Sequence, residues 1–130
     1  MERMDEWIKK IDFDFFSQGK HKISAQAFLE KMEKGEAKLL DVRTKEEYEY
    51  IDFPFSIKIP FNELPQRKNE IPRDKTIAVF CSAGTRSAIA YAYLSALGWD
   101  NVLWLQGGYG DLVELLKPGK IRKIKEARKG

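Results

Sequence analysis

Apolar positions along the chain fall into short clusters separated by polar, Gly-bearing or Pro-bearing stretches. Thr76-Ile-Ala-Val-Phe80 is the clearest buried strand, apolar or β-branched throughout. Lys38-Leu-Leu-Asp-Val42 and Asn101-Val-Leu-Trp-Leu105 have the same character, and Ser56-Ile-Lys-Ile59 alternates like a strand before Pro60. Helical signals lie between these runs. Ser24 stands as an N-cap before Ala27, Phe28 and Met32, with Gly35 as the stop. Thr44 and Glu47 have the spacing of a capping box, and Pro54 ends the short helix it opens. Ala88 to Leu97 is rich in helix formers and is followed by Gly98, and Tyr109 to Leu116 is bounded by Pro118. Residues 62–70 form a polar connecting segment, and a short helix is expected over 4–11. Strand and helix thus alternate with short links, the pattern of an α/β layer with a mainly parallel sheet and helices on both faces.

At 130 residues the chain has the size of one domain, and 43% hydrophobic with 33% charged residues marks a globular sequence. No run approaches the roughly 18 apolar residues of a membrane span, and the charged start MERMDEWIKK is unlike a signal peptide. The expectation is a cytoplasmic protein without a membrane partner. Net charge is +3, but seven basic residues between 117 and 130 face the single acid Glu126, which leaves the remainder acidic by three. That distribution is a mildly acidic body with a basic tail, unlike the basic face of a nucleic-acid-binding domain, so no nucleic acid is expected. The organisation expected is an N-terminal extension (1–21), a domain over 22–116 and a basic tail (117–130). The tail is expected to be a solvated segment or a final helix turn. Trp7 and the Phe13 to Phe16 cluster are expected to pack on the body, and Trp99 and Trp104 to lie in the core or at a rim.

The cysteine and histidine content changes the picture further. With Cys81 alone there is no internal disulfide, and with His21 alone, set between lysines, a Cys/His metal site lacks ligands and a histidine-assisted nucleophile is unsupported. Cys81 itself follows the buried strand and precedes a helix, where parallel sheets present reactive groups. Helix N–H groups and the positive end of the helix dipole favour thiolate there. Ser82, Ala83 and Gly84 are small enough for the backbone to curl into an anion nest, and Arg86 adds a planar donor fork.

Taken in order, Leu40-Asp-Val-Arg43 with Glu46-Glu-Tyr48, Ile57-Lys-Ile-Pro60, Cys81-Ser-Ala-Gly-Thr-Arg-Ser87 and Leu105-Gln-Gly-Gly-Tyr109 resemble a single rhodanese-like domain over about Lys22 to Leu116. The resemblance implies a central parallel sheet of five strands flanked by helices, and a cysteine that accepts a sulfane sulfur as a persulfide. It implies Cys81 as nucleophile, N–H groups of Ser82 to Arg86 around the sulfur anion, and Arg86 orienting an anionic donor. Thr85 and Ser87 would donate to the persulfide or cap the helix, capping being the expectation for Ser87. Asp41 and Arg43 would form a structural network at the strand end. Four residues separate Cys81 from Arg86, as in sulfurtransferases, whereas the related phosphatases and arsenate reductases carry five. The chain departs from the family at Ile51-Asp-Phe-Pro-Phe55, where many members read Gly-His-Ile-Pro-Gly, so this turn must be built differently.

A pre-formed thiolate needs no general base, so sulfur transfer suits a chain without a usable histidine. Thiosulfate or a persulfide would be the donor. With no second cysteine, the acceptor must be external: a small thiol, cyanide or a partner protein's cysteine. No metal or organic cofactor is implied. Alternatives are a non-catalytic binding or regulatory module of the same fold, or a phosphatase or arsenate reductase.

Overall fold

The computed structural model describes residues 2–129; side chains at Tyr109, Arg128 and Lys129 lie outside the described set, as do Met1 and Gly130. The elements in chain order are α1 (Glu2–Lys10), α2 (Phe13–Ser17), β1 (Lys22–Ile23), α3 (Ala25–Glu33), β2 (Ala37–Asp41), α4 (Lys45–Tyr50), β3 (Ile57–Lys58), α5 (Leu64–Arg67), β4 (Thr76–Phe80), α6 (Thr85–Ala96), β5 (Val102–Leu105), α7 (Gly108–Leu115) and α8 (Pro118–Lys129). Short 3₁₀ turns flank α5. The five strands form one sheet in the order β1-β5-β4-β2-β3, and all four pairings are parallel. The α/β class with helices on both faces is therefore the observed architecture.

Side-chain alternation along the strands divides the interior in two. Ala37 and Leu39 of β2, Ala78 and Phe80 of β4, and Leu105 of β5 face one way, under Phe28, Leu29 and Met32 of α3, Leu112 of α7 and Ile124 of α8. Leu40, Ile77, Val79, Cys81 and Val102 face the other way, under Ala90, Tyr91 and Leu94 of α6 and Leu64 of α5. The run Thr76-Ile-Ala-Val-Phe80 is apolar at successive positions because β4 is central and is covered on both sides. Local signals set the helix starts. The Ser24 hydroxyl accepts the Ala27 N–H at 3.1 Å. At the start of α4 the capping box forms in both directions, with Thr44 N–H on Glu47 Oε1 at 3.0 Å and Glu47 N–H on Thr44 Oγ1 at 3.2 Å.

Four details differ from the sequence expectations. The fifth strand, β1, is only two residues long and so carries no alternation; it joins the sheet edge through Lys22 opposite Trp104 and Ile23 opposite Leu105. The N-terminal segment forms two helices, and Phe13 on the second is 82% exposed, so it does not pack on the body. Trp7 does, edge-on to Tyr91 of α6 with ring centroids 5.8 Å apart. Finally, Pro118 opens a twelve-residue helix where a solvated segment or a final helix turn was expected, since proline fits a first helical position, and Ile124 on that helix is fully buried against the sheet's α3 side. Among the described residues, no helix is long and apolar enough to cross a membrane.

Candidate active site

Cys81 leaves the carboxyl end of β4 with only 1% of its surface exposed. The chain then turns through Gly84, whose φ of +92° is a left-handed value that side chains disfavour, and α6 begins. This turn aims two backbone N–H groups at the sulfur, from Gly84 at 3.1 Å and from Ser87 at 3.3 Å. The Cys81 thiol in turn donates to Ser87 Oγ at 3.4 Å. The cradle thus includes Ser87, one position beyond the amides expected from the loop. Ser87 is no cap: it sits inside the first turn of α6, is buried, and its hydroxyl donates to the Gly84 carbonyl at 3.0 Å, while the helix has no side-chain cap at all. Ser82, Ala83 and Thr85 are exposed and form the outer lip of the loop.

Arg86 is half-buried beside this cradle and is already engaged. Its guanidinium forks onto Glu47 of α4, Nη1 to Oε1 at 2.6 Å and Nη2 to Oε2 at 3.0 Å. Ser82 Oγ donates to the same carboxylate at 2.5 Å. Glu47 therefore collects donors from Thr44, Ser82 and Arg86. The Arg86 hydrogen bond is the main reason its carboxyl is held well below the ordinary range, against an opposing push from burial. Arg86 is raised in return, chiefly by its hydrogen bond to Glu47. The rim of the sulfur cradle is a closed ion pair, with a shallow groove lined by Arg43, Glu47, Tyr50, Ile51 and Ser82 beside it.

Asp41 and Arg43 lie behind the rim, 0% and 2% exposed. Arg43 Nε and Nη2 reach Asp41 at 2.9 and 2.7 Å, and Nη2 also donates to the Ile51 carbonyl at 2.9 Å. Phe53 packs its ring 5.1 Å from the guanidinium carbon and edge-on to Phe80, with ring centroids 5.3 Å apart. Phe53 and Phe55 are each 5% exposed. In place of a Gly-rich turn, this segment is thus anchored by two buried aromatic rings and by a carbonyl held on Arg43. Arg43 also lines the shallow groove beside the rim.

Two contributors escape the sequence reading. Glu47 carries the signal of a helix start, and nothing in its spacing shows that the carboxylate also reaches across to Arg86. Trp104 on β5 reads as an apolar strand residue, yet its Nε1–H donates to Ser87 Oγ at 3.1 Å and lies 3.4 Å from the Gly84 carbonyl. The signal available for Trp104 was the sheet order, since β5 lies beside β4 and pairs Val79 with Trp104, two residues before Cys81. His21 lies away from this site, against Phe15 and Phe16. Among the described residues, no group of three or more His, Cys, Asp or Glu side chains is placed to hold a metal.

A buried cysteine at a strand-to-helix turn on a parallel sheet defines the class, and comparison with known proteins gives the family. Residues 24–114 match the rhodanese-like domain, and the chain belongs to that family. A sulfurtransferase of Allochromatium vinosum is 39% identical over 70 residues, which cover 54% of this chain and 65% of that protein. An adenylyltransferase and sulfurtransferase of Ogataea parapolymorpha is 37% identical over 71 residues, 54% of this chain and 18% of that protein. The chain spans less than two thirds of either relative. The crystal structure of a rhodanese-related protein from Thermoplasma volcanium superposes with a TM-score of 0.66 at 35% identity, covering 75% of this chain and 95% of that one.

Proposed function

We propose that the chain is a sulfurtransferase that carries a sulfane sulfur on Cys81. The observation that carries this reading is a buried sulfur at a strand-to-helix turn with two N–H groups converging on it at 3.1 and 3.3 Å. Such a cradle favours an anionic sulfur without a base. The Cys81 thiolate attacks the outer sulfur of thiosulfate or of a persulfide; the new S–S bond forms as the old one breaks, and sulfite or a thiolate leaves with the electron pair. An external thiolate or cyanide then attacks the outer sulfur of the Cys81 persulfide, and Cys81 leaves as thiolate. No net oxidant or reductant is needed.

Gly84 and Ser87 hold the sulfur in this scheme, and Ser82, Ala83 and Thr85 shape the lip. Arg86 meets the anionic part of the donor, with Asp41 and Arg43 supporting the wall. Residues 22–116 constitute the transferring domain, with 1–21 and 117–130 as its additions. A thiol-dependent reaction of this kind suits the reducing cytoplasm.

The test is intact-mass measurement after exposure to thiosulfate and to a low-molecular-weight persulfide. Wild type gains one sulfur, and Cys81→Ser gains none and does not turn over. A serine variant that retains activity refutes the reading.

A further inference from the structure

Ser87 Oγ is the meeting point of three groups: it accepts from the Cys81 thiol at 3.4 Å and from Trp104 Nε1–H at 3.1 Å, and it donates to the Gly84 carbonyl at 3.0 Å. That carbonyl does not depend on the serine. It also accepts the Ala88 N–H at 3.0 Å within the helix, and Trp104 Nε1 lies 3.4 Å away. Three donors around an oxygen with two lone pairs leave the hydroxyl proton as the one free to turn elsewhere. When Cys81 loses its proton to solvent, the only change needed is rotation of the Ser87 hydroxyl, which then donates to the sulfur anion. Trp104 keeps the oxygen in place during that rotation and, by donating to it, makes its O–H a stronger donor.

We propose that Trp104 is a positioning residue of the sulfur site: its indole N–H fixes the Ser87 hydroxyl as a third donor to Cys81 whenever that sulfur carries negative charge. This rests on the sulfur-transfer reading above for its role in turnover. Cys81 is thiolate twice in that cycle, as attacking group when sulfur is loaded and as leaving group when it is unloaded. Loss of the indole N–H therefore slows both half-reactions and leaves donor binding alone, which separates Trp104 from Arg86 at the rim.

The substitution is Trp104→Phe, which keeps an aromatic ring at the half-buried position and deletes the N–H. Should that variant not fold, benzothienylalanine at 104 keeps the bicyclic shape with sulfur in place of N–H. Iodoacetamide alkylation of Cys81 at fixed neutral pH is measured first, because it needs no sulfur donor. We expect it to slow about fivefold, the size of one neutral hydrogen bond, and kcat for loading and unloading to fall by a similar factor at unchanged donor KM. In a Ser87→Ala background the Trp104→Phe change has no further effect. Alkylation within twofold of wild type, or an undiminished effect in the Ser87→Ala background, overturns the assignment. If alkylation slows as expected while wild type takes up no sulfur from any donor, the sulfur-transfer reading fails and the indole's hold on the cysteine stands.

Discussion

Glu47 is one residue with two tasks, and each has its own consequence. As the third residue of α4 it closes the capping box, and as an anion across the rim it occupies the Arg86 guanidinium. On the proposed reading, an anionic donor such as thiosulfate would compete with that carboxylate for the same fork. Glu47→Gln is therefore expected to lower the KM for thiosulfate several-fold while changing that of an uncharged donor little, and steady-state kinetics with both donors checks this. Arg86→Ala should raise the thiosulfate KM while leaving Cys81 alkylation nearly intact; equal losses in both would assign Arg86 to the fold. The pH dependence follows from the direction of the Glu47 shift. Because the folded carboxyl titrates below its ordinary value of 4.5, its contribution to stability is complete above that pH and is lost as pH falls beneath it. Urea unfolding of wild type and Glu47→Gln should differ most at neutral pH and converge on acidification. Asp41 and Arg43 behave differently, since neither reaches solvent. Removing one partner, as in Asp41→Ala, leaves an uncompensated buried charge and is expected to destabilise by about 3–5 kcal/mol, read as a drop in the midpoint of chemical denaturation.

At the scale of the element, the sequence showed the parts whose signals are local. The capping box, the Ser24 cap and the apolar run of β4 announce themselves because the residues that satisfy one another lie within a few positions. Strand β1 did not, because two residues joined edgewise to β5 carry no periodicity. Helix α8 was missed for a related reason: Pro118 can stop one helix or start another, and which it does depends on whether a core is there to receive Ile124. The contrast within α8 is testable. Ile124, 0% exposed, should lose about 2–4 kcal/mol on substitution by alanine, whereas the part-exposed Ile121 should lose far less; equilibrium urea unfolding of both variants distinguishes them. The same logic applies at the candidate site. Cys81, its loop and Arg86 were legible because they adjoin in the chain. Glu47 and Trp104 were not, because 39 and 17 residues separate them from Arg86 and Ser87, their partners in the fold.

For the molecule as a whole, the sheet order converts those separations into contacts. β4 sits between β2 and β5, so the turn after β4 is flanked by the chain that leaves β2 toward α4 on one side and by Trp104 on the other. Two neighbours of one strand thus supply the carboxylate of the rim ion pair and the indole donor. The near-complete enclosure of the Cys81 sulfur has a consequence for handling the protein. Joining two chains through this residue would require two equally buried sulfur atoms to approach to about 2.05 Å. A small donor can enter one loop, but two folded chains cannot bring both recessed sulfurs that close while the loops keep their shape. Purified material stored in air should therefore run as a single species on a non-reducing gel. Denaturant or Gly84→Pro, which opens the turn, should let a cross-linked dimer appear.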